Sequence, residues 1–390
     1  MGKISKISGR KINDSRGEET LEVELELENG SKTRASVPQG KSKGNFEAIY
    51  VLPGLAIENI ENFILPALKG LDPTEQSKID QTLIGLDGTE NKSRLGANAI
   101  LAVSIVCARA AAKEKEIELW QNIRTLADFG NNPAGRPRLF ANVINGGLHA
   151  QNNLDFQEYL IISKSGDFEK SMQMIMAISE ELKNLIVKKT GNSEVKIGDE
   201  GGWAPDFSNN IEPFEFIKEA VVNLGLENSF DFGLDAAASN VKIEPESLTE
   251  IYSDLRARFS LYYLEDPFGE NDFKNFGEIC RKFGDETIIT GDDLTTTNLT
   301  RMENAHRQNC ITGVIIKPNQ IGTLSETLAA IKAARQWGWR VIVSHRSGET
   351  EDDFISDLAF AVGADGIKIG LPVQKERLTK YQRLLKIENK

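Results

Sequence analysis

Three acidic residues each stand at or near the end of an apolar segment in the second half of the chain. Asp235, Glu265 and Asp292 lie in FDFGLD, LYYLED and TIITGDD. Carboxylates that lie close together in one site repel one another unless a cation binds between them or some of them stay protonated. Oxygen ligands without cysteine or histidine favour Mg²⁺ over zinc or copper. One such acid could equally cap a helix or pair with a lysine, but three on consecutive segments favour a metal site.

Two lysines occupy equivalent positions on other segments. Lys317 ends GVIIK, and Lys368 lies in GIKIG. A partly desolvated lysine beside a dication has a lowered pKa, which makes its neutral amine available as a base. We therefore predict that Lys317 is a general base and that Lys368 is a competing base or a charge partner. The alternative is that Lys317 only neutralises the acidic cluster.

The segment VIVSHRS ends in three adjacent polar side chains, His345, Arg346 and Ser347. An arginine can bind phosphate or carboxylate through two parallel hydrogen bonds, and a serine adds a hydroxyl donor. These residues would supply the local positive charge that an anionic substrate needs. A single arginine at a strand end would more often form a structural ion pair.

Two earlier segments carry further candidates. Glu200 precedes a double glycine in IGDEGGWAPD, which predicts a tight loop, and His149 follows a double glycine in INGGLHAQNN. Gln157 and Glu158 come shortly afterwards, in a predicted strand. Taken singly, each of these residues is better explained by loop packing and turn-forming glycines than by a catalytic role.

The elements that must position these residues follow a regular spacing. The charged or polar strand ends from Asp235 to Lys368 are 23 to 30 residues apart, which fits a strand, a crossover helix and two loops. Apolar strands indicate a parallel sheet buried on both faces. Six such units favour a closed β/α barrel, whose strand ends meet at one mouth, over an open doubly wound sheet.

The N-terminal part has a different pattern. Leucine or valine alternates with glutamate from Leu21 to Glu28, which predicts a half-buried strand, and residues 31–37 predict a second one after an Asn-Gly turn. Helical stretches follow, the last over about 97–115. We predict an α+β domain over residues 1–128, a linker over 129–137 and the barrel over 138–390.

Composition narrows the possible functions. The chain has 390 residues, a net charge of −12 and a sequence pI near 5.1. A negative field repels phosphates, so nucleic acid and anionic membranes are poor partners. The sequence shows neither a secretory signal nor an apolar stretch long enough to span a membrane. Its three cysteines form no disulfide framework, which predicts a cytoplasmic protein.

The segment QGKSKGN near the N-terminus resembles the end of a phosphate-binding P-loop. The first glycine of that motif would fall at position 35, which is alanine, so a nucleotide-hydrolysing enzyme is disfavoured. Two glycines and no apolar residue indicate instead a mobile lid, which we place at residues 38–45.

Over nearly its whole length, the chain resembles the enolase family. The resemblance is carried by GRKINDSRG, LDGTENKSRLGANAILAVS, INGGLHAQNN, GDEGGWAP, LEDPF, GDDL, KPNQIGTLSE and SHRSGETED. It implies a small α+β cap domain followed by a modified eight-stranded α/β barrel of the TIM-like (β/α)8 type.

The resemblance also implies an activity, the Mg²⁺-dependent, reversible dehydration of 2-phospho-D-glycerate to phosphoenolpyruvate. The first Mg²⁺ would be held by Asp235, Glu265 and Asp292, and a second, arriving with substrate, by Ser42. Lys317 would remove the proton and Glu200 would help hydroxide leave, assisted by Glu158 and His149. Substrate would be bound by Gln157, His345, Arg346, Ser347 and Lys368. A homodimer or larger homo-oligomer is also implied.

The sequence departs from the family pattern near the lid and near the C-terminus. Family members usually have SGAST where this chain has QGKSK, and ELRDG with a further stretch where this chain continues from Ala48 directly into IYVLPG. Ile369 replaces a usual threonine, and Gln374-Lys375 replaces an Arg-Ser pair. These changes leave two alternatives open: an enolase-like lyase that acts on a different acid, and an inactive paralogue that binds a partner.

Overall fold

A computed structural model of the chain describes residues 2–41, 43–129 and 135–389. Its N-terminal part is built on an antiparallel sheet of β1 (Ile4–Asn13), β2 (Glu19–Leu27) and β3 (Lys32–Val37). The alternating leucines and valine of β2 are buried, as the sequence pattern predicts. The first strand, β1, was not anticipated from the sequence, since its lysines and serines obscure the alternation.

Helices follow this sheet in the chain and pack on it or on one another. They are α1 (Pro53–Asn59), a π-helical turn (Ile60–Ile64), α2 (Leu65–Leu68), α3 (Gln76–Asp87), α4 (Ala97–Glu114) and α5 (Leu119–Ala127). Helix α4 is alanine-rich and buried along most of its length, because small side chains let it pack closely against β2 and β3. The predicted helix over about 97–115 is thus present with nearly the predicted bounds.

The second part is a closed eight-stranded barrel. Its strands are β4 (Arg138–Asn145), β5 (Glu158–Ser163), β6 (Phe230–Asp235), β7 (Tyr263–Glu265), β8 (Ile288–Gly291), β9 (Gly313–Ile316), β10 (Arg340–Ser344) and β11 (Gly366–Lys368). The helices are α6 (Phe168–Thr190), α7 (Glu212–Asn223), α8 (Pro245–Phe259), α9 (Phe273–Phe283), α10 (Leu299–Arg307), α11 (Leu324–Gln336), α12 (Phe354–Ala361) and α13 (Lys375–Glu388). The predicted fold class, an α+β cap followed by a TIM-like barrel, is confirmed.

One strand runs against the others. β5 pairs antiparallel with both β4 and β6, whereas the remaining neighbours pair in parallel. A reversed strand begins where its neighbours end, so Glu158, the first residue of β5, lies opposite Asp235, the last residue of β6. This reversal brings an early carboxylate to the same mouth as the later strand ends.

The barrel interior and the helix starts follow from residue type. Aromatic and β-branched side chains fill the barrel at one level, among them Phe140, Tyr263 and Ile342. At α11, the Thr323 hydroxyl accepts from the Glu326 amide at 3.1 Å and caps the helix, as its sequence pattern predicts. Packing below the mouth holds the strand ends in fixed positions.

Candidate active site

The barrel brings together the strand ends that the sequence singles out. Asp235, Glu265 and Lys368 are the last residues of β6, β7 and β11. Asp292 and Lys317 directly follow β8 and β9. Residues more than a hundred positions apart in the chain therefore contact one another at the mouth.

The Lys368 ammonium is the centre of an acidic cluster. Its Nζ lies 2.8 Å from Glu265 Oε2, 2.9 Å from Asp235 Oδ2 and 3.1 Å from Glu158 Oε2, and all four side chains are buried. Burial alone would lower the pKa of Lys368, but the three carboxylates outweigh burial and raise it well above its ordinary value. Lys368 is therefore a fixed positive charge, which fits the role of charge partner better than that of base.

Lys317 forms a second, separate pair with Asp292. Its ammonium donates a very short hydrogen bond to Asp292 Oδ2. Burial works to lower the pKa of Lys317, and the Asp292 charge more than offsets this, so the pKa lies above its usual value. The lowered pKa expected from the sequence assumed a neighbouring dication; the protein alone provides a carboxylate, which has the opposite effect.

Two acids that sequence reasoning missed stand beside Asp292. The Asp266 carboxylate accepts the backbone N–H of Asp292 at 3.0 Å and of Asp293 at 2.7 Å. Ligand atoms of these three residues lie within 4.8 Å of one another. Burial and the Asp292 charge raise the pKa of Asp293 to about 8. Asp293 follows Asp292 directly in GDDL, and that doublet was the available signal.

A further group joins His149, Glu158 and Glu200. His149 Nδ1 lies 3.6 Å from Glu200 Oε1 and 3.7 Å from Glu158 Oε1, and all three side chains are buried. Burial and the Glu200 charge raise the pKa of Glu158 well above its ordinary value. The pKa of Glu200 is also raised by burial, but His149 and His345 outweigh that effect and lower it. Glu158 is therefore the more readily protonated acid of the pair.

His345 contacts the same acid from the other side. Its Nε2 lies 3.4 Å from Glu200 Oε1, and its Nδ1 forms a very short contact with Arg377 Nη1. Burial lowers the pKa of His345 well below its ordinary value. Arg377 is fully buried and also donates to the carbonyls of Asp199 and Ser347. Sequence reasoning missed Arg377, because nothing distinguishes it from the other basic residues of α13.

Arg346 is held by an acid from the N-terminal part. Its Nη1 lies 2.8 Å from Glu47 Oε2 and its Nη2 lies 3.0 Å from Glu47 Oε1, and both side chains are buried. Asn319 Oδ1 accepts a further hydrogen bond from Nη1 at 3.1 Å. The two-pronged binding that the sequence predicted for phosphate or carboxylate is made here with the Glu47 carboxylate, as a buried ion pair. Glu47 and Asn319 are both residues that sequence reasoning did not select.

Gln39 and Lys41, two residues of the predicted lid, contact the segment that carries Arg346 and Ser347. Gln39 and Gly348 form a two-way backbone bridge, and the Lys41 N–H donates to Ser347 Oγ at 2.8 Å. A Cβ at Gly40 would come within 1.9 Å of Arg346 Nη2, so only glycine permits this approach. Ser42 lies outside the described residues, and its predicted role as a metal ligand stays a prediction.

The remaining candidate, Gln157, sits at the edge of the acidic cluster. Its Nε2 lies 3.5 Å from Asp235 Oδ2, and its side chain is buried. All candidates within the described ranges thus border one mouth, together with the lid.

The donor set fits Mg²⁺. Glu265 Oε1 is buried and has no hydrogen-bond partner among the described residues. Burial and the Asp235 charge raise the pKa of Glu265 to about 8. A cation beside such an oxygen would satisfy it and relieve the repulsion, and a site made of oxygens only is the kind that Mg²⁺ prefers.

Comparison with known proteins agrees with this geometry. The enolase N-terminal domain matches residues 4–123, and the enolase C-terminal TIM barrel domain matches residues 136–246 and 239–390. The chain belongs to the enolase family. An enolase of Methanopyrus kandleri is 41% identical over 100% of this chain and 96% of its own length.

Two other relatives extend the comparison to bacteria and plants. An enolase of Ehrlichia canis is 41% identical over 99% of this chain and 96% of its own length. An enolase of Solanum lycopersicum is 37% identical over 100% of this chain and 95% of its own length. Membership of the enolase family places the chain among the hydro-lyases. None of the described helices combines the length and apolar character needed to cross a membrane.

Proposed function

We propose that the protein catalyses the Mg²⁺-dependent, reversible dehydration of 2-phospho-D-glycerate to phosphoenolpyruvate. The observation that carries this proposal is the juxtaposition at one barrel mouth of the buried acidic cluster around Lys368, the largely buried Lys317–Asp292 pair and the Arg346–Ser347 segment. Such a mouth can bind a carboxylate, a phosphate and a cation together. Membership of the enolase family supports the same reaction.

Asp235, Glu265 and Asp292 would hold one Mg²⁺, and Ser42 would join a second one that arrives with the substrate. The ions would supply positive charge to the substrate carboxylate as the adjacent carbon loses its proton. A side-chain base contributes about 10² to 10⁴ in rate, so Lys317 depends on this additional stabilisation.

The protein's own residues would move two protons. Because its pKa is raised beside Asp292, Lys317 would first give up its own proton, and its neutral amine would then accept the proton from carbon 2 while the C–H electron pair passes into the enolate. The enolate electrons would next form the double bond between carbons 2 and 3 as the bond from carbon 3 to its hydroxyl breaks. The departing hydroxide would take a proton from the Glu158–Glu200 pair and leave as water. Because the pKa of Glu158 is raised and that of Glu200 is lowered, donation by Glu200, the role implied by resemblance, would require a proton transfer within the pair.

The phosphate would be bound by Arg346 and Ser347, with His345 and Gln157 lining the rest of the pocket. Neutral His345 can donate one hydrogen bond without repelling the neighbouring cations. Lys368, with its raised pKa, would contact the substrate as a cation.

A second candidate is an enolase-like lyase acting on a different acid. It is favoured by the two lysines of the predicted lid, Lys41 and Lys43. The Lys41 Nζ lies 3.2 Å from Oδ2 of Asp199, the residue before Glu200. An inactive, partner-binding paralogue is less favoured, since each candidate in the described residues keeps a group able to do its chemistry. The test is turnover of 2-phospho-D-glycerate against other phosphorylated and α-hydroxy acids. Preference for one of these would support the second candidate.

Two accompanying proposals concern the cellular compartment and the oligomeric state of the protein. The three cysteines are free thiols, which supports a reducing cytoplasm. A homodimer or larger homo-oligomer, the state implied by the family, is proposed for the active form. Analytical ultracentrifugation tests the latter, and a monomeric active enzyme would contradict it.

A further inference from the structure

Tyr50 lies in the segment IYVLPG, which follows the predicted lid. Its hydroxyl donates to the Pro38 carbonyl at 2.7 Å and accepts from Asn319 Nδ2 at 2.8 Å. Asn319 Nδ2 also donates to the Pro38 carbonyl at 3.2 Å. Tyr50, Pro38 and Asn319 therefore form a closed triangle of hydrogen bonds.

The triangle is connected directly to Arg346. Asn319 Oδ1 accepts from Arg346 Nη1 at 3.1 Å, so the tyrosine hydroxyl is two hydrogen bonds away from the guanidinium. An asparagine amide has distinct donor and acceptor ends. Because Tyr50 and Pro38 occupy the donor end, the acceptor end faces Arg346. Tyr50 and Pro38 together fix Asn319 in this orientation.

The same side chain contacts the lid at two points. Pro38 begins the lid segment 38–45, and the Lys43 ammonium lies 5.5 Å from the centre of the Tyr50 ring. A cation over an aromatic ring is attracted by its face. Tyr50 is thus placed to hold the lid and the arginine beneath it in one arrangement.

We propose that Tyr50 is a positioning residue that orients Arg346, through Asn319, for binding the substrate phosphate. Tyr50 can have this role only if Arg346 binds a phosphate, as proposed above. The tyrosine follows Ala48 by two positions, within IYVLPG. The network would thus order the phosphate site from the segment that follows the predicted lid.

The first test is Tyr50→Phe, which removes the hydroxyl and keeps the ring. A hydrogen bond contributes about 1 kcal/mol, so we expect KM for 2-phospho-D-glycerate to rise about three- to tenfold. The turnover number should change less than twofold, because Tyr50 touches none of the groups proposed to move protons. Tyr159→Phe is the matched control: its hydroxyl donates to the Asn210 carbonyl at 3.0 Å, away from Arg346, and its KM should stay unchanged.

A double-mutant cycle tests the route through Asn319. In an Asn319→Ala background, Tyr50→Phe should cause no further rise in KM. The proposal would be overturned if Tyr50→Phe raised KM by the same factor in the Asn319→Ala background as in the parent protein. An unchanged KM in Tyr50→Phe alone would also overturn it. A fall in turnover number alone would also overturn it. If the unaltered protein fails to turn over 2-phospho-D-glycerate, the proposed function fails first, and Tyr50 loses this role with it.

Discussion

Glu47 and Arg346 form a buried, two-pronged ion pair between the N-terminal part and the barrel mouth, with nitrogen–oxygen distances of 2.8 and 3.0 Å. The pair joins residues 299 positions apart, and Gly40 lies directly against the Arg346 guanidinium. Both charges are desolvated, so each depends on the other. The same contact therefore couples the docking of the two parts to the orientation of a proposed phosphate ligand.

Replacement of Glu47 tests that coupling. Glu47→Ala leaves the Arg346 charge buried with one acidic partner fewer, and we expect the free energy of unfolding in urea to fall by about 3 kcal/mol. Glu215→Ala breaks an exposed pair with Arg258 and serves as the control, with an expected loss below about 1 kcal/mol. Equal losses in the two variants would show that the buried pair has no special structural importance.

Lys368 is expected to substitute for a cation in the metal-free protein. Lys368→Met removes the ammonium that three buried carboxylates share, so thermal unfolding in EDTA should occur at a clearly lower temperature than in the parent protein. Added Mg²⁺ should recover much of this loss and stabilise the variant more than the parent. Lys164→Met, which breaks a surface pair with Asp231, is the control. A magnesium response identical in all three proteins would contradict this account of the cluster.

Lys317 is predicted to be the base, and two substitutions separate charge from basicity. Lys317→Arg keeps a cation beside Asp292 but cannot be deprotonated, whereas Lys317→Ala removes both. Both variants should lose about 10² to 10⁴ in turnover number, and only the alanine variant should also be less stable. Near-normal turnover by a folded Lys317→Arg protein would exclude Lys317 as the base.

His345 gives a pH dependence of defined sign. Burial lowers its pKa in the folded protein, while the unfolded chain takes up a proton near the ordinary value of about 6.5. Its contribution to stability is therefore present above that pH and is lost as the pH falls. Between pH 7.5 and pH 5 the free energy of unfolding of the parent protein should therefore fall relative to that of His345→Gln. The relative loss should be at most about 1.4 kcal/mol per pH unit. A constant difference would contradict a histidine held neutral.

The sequence predicted the barrel and most of the mouth because strand ends carry a local signal. Asp235, Glu265 and Lys368 each follow an apolar run, and regular spacing places such ends together. The reversal of β5 was not predictable, because a run of apolar residues does not indicate in which direction the strand runs in the sheet. The Glu47–Arg346 pair and Arg377 were missed because their partners are distant in the chain. The pKa of Lys317 depends on its neighbour's charge, which no sequence pattern specifies.

The most direct measurement is the appearance of phosphoenolpyruvate absorbance from 2-phospho-D-glycerate, followed continuously with Mg²⁺ and again with excess EDTA. The account predicts turnover with Mg²⁺, none with EDTA, and recovery when Mg²⁺ is restored. No turnover by folded, Mg²⁺-supplied protein would contradict it and would favour an enolase-like lyase with another substrate.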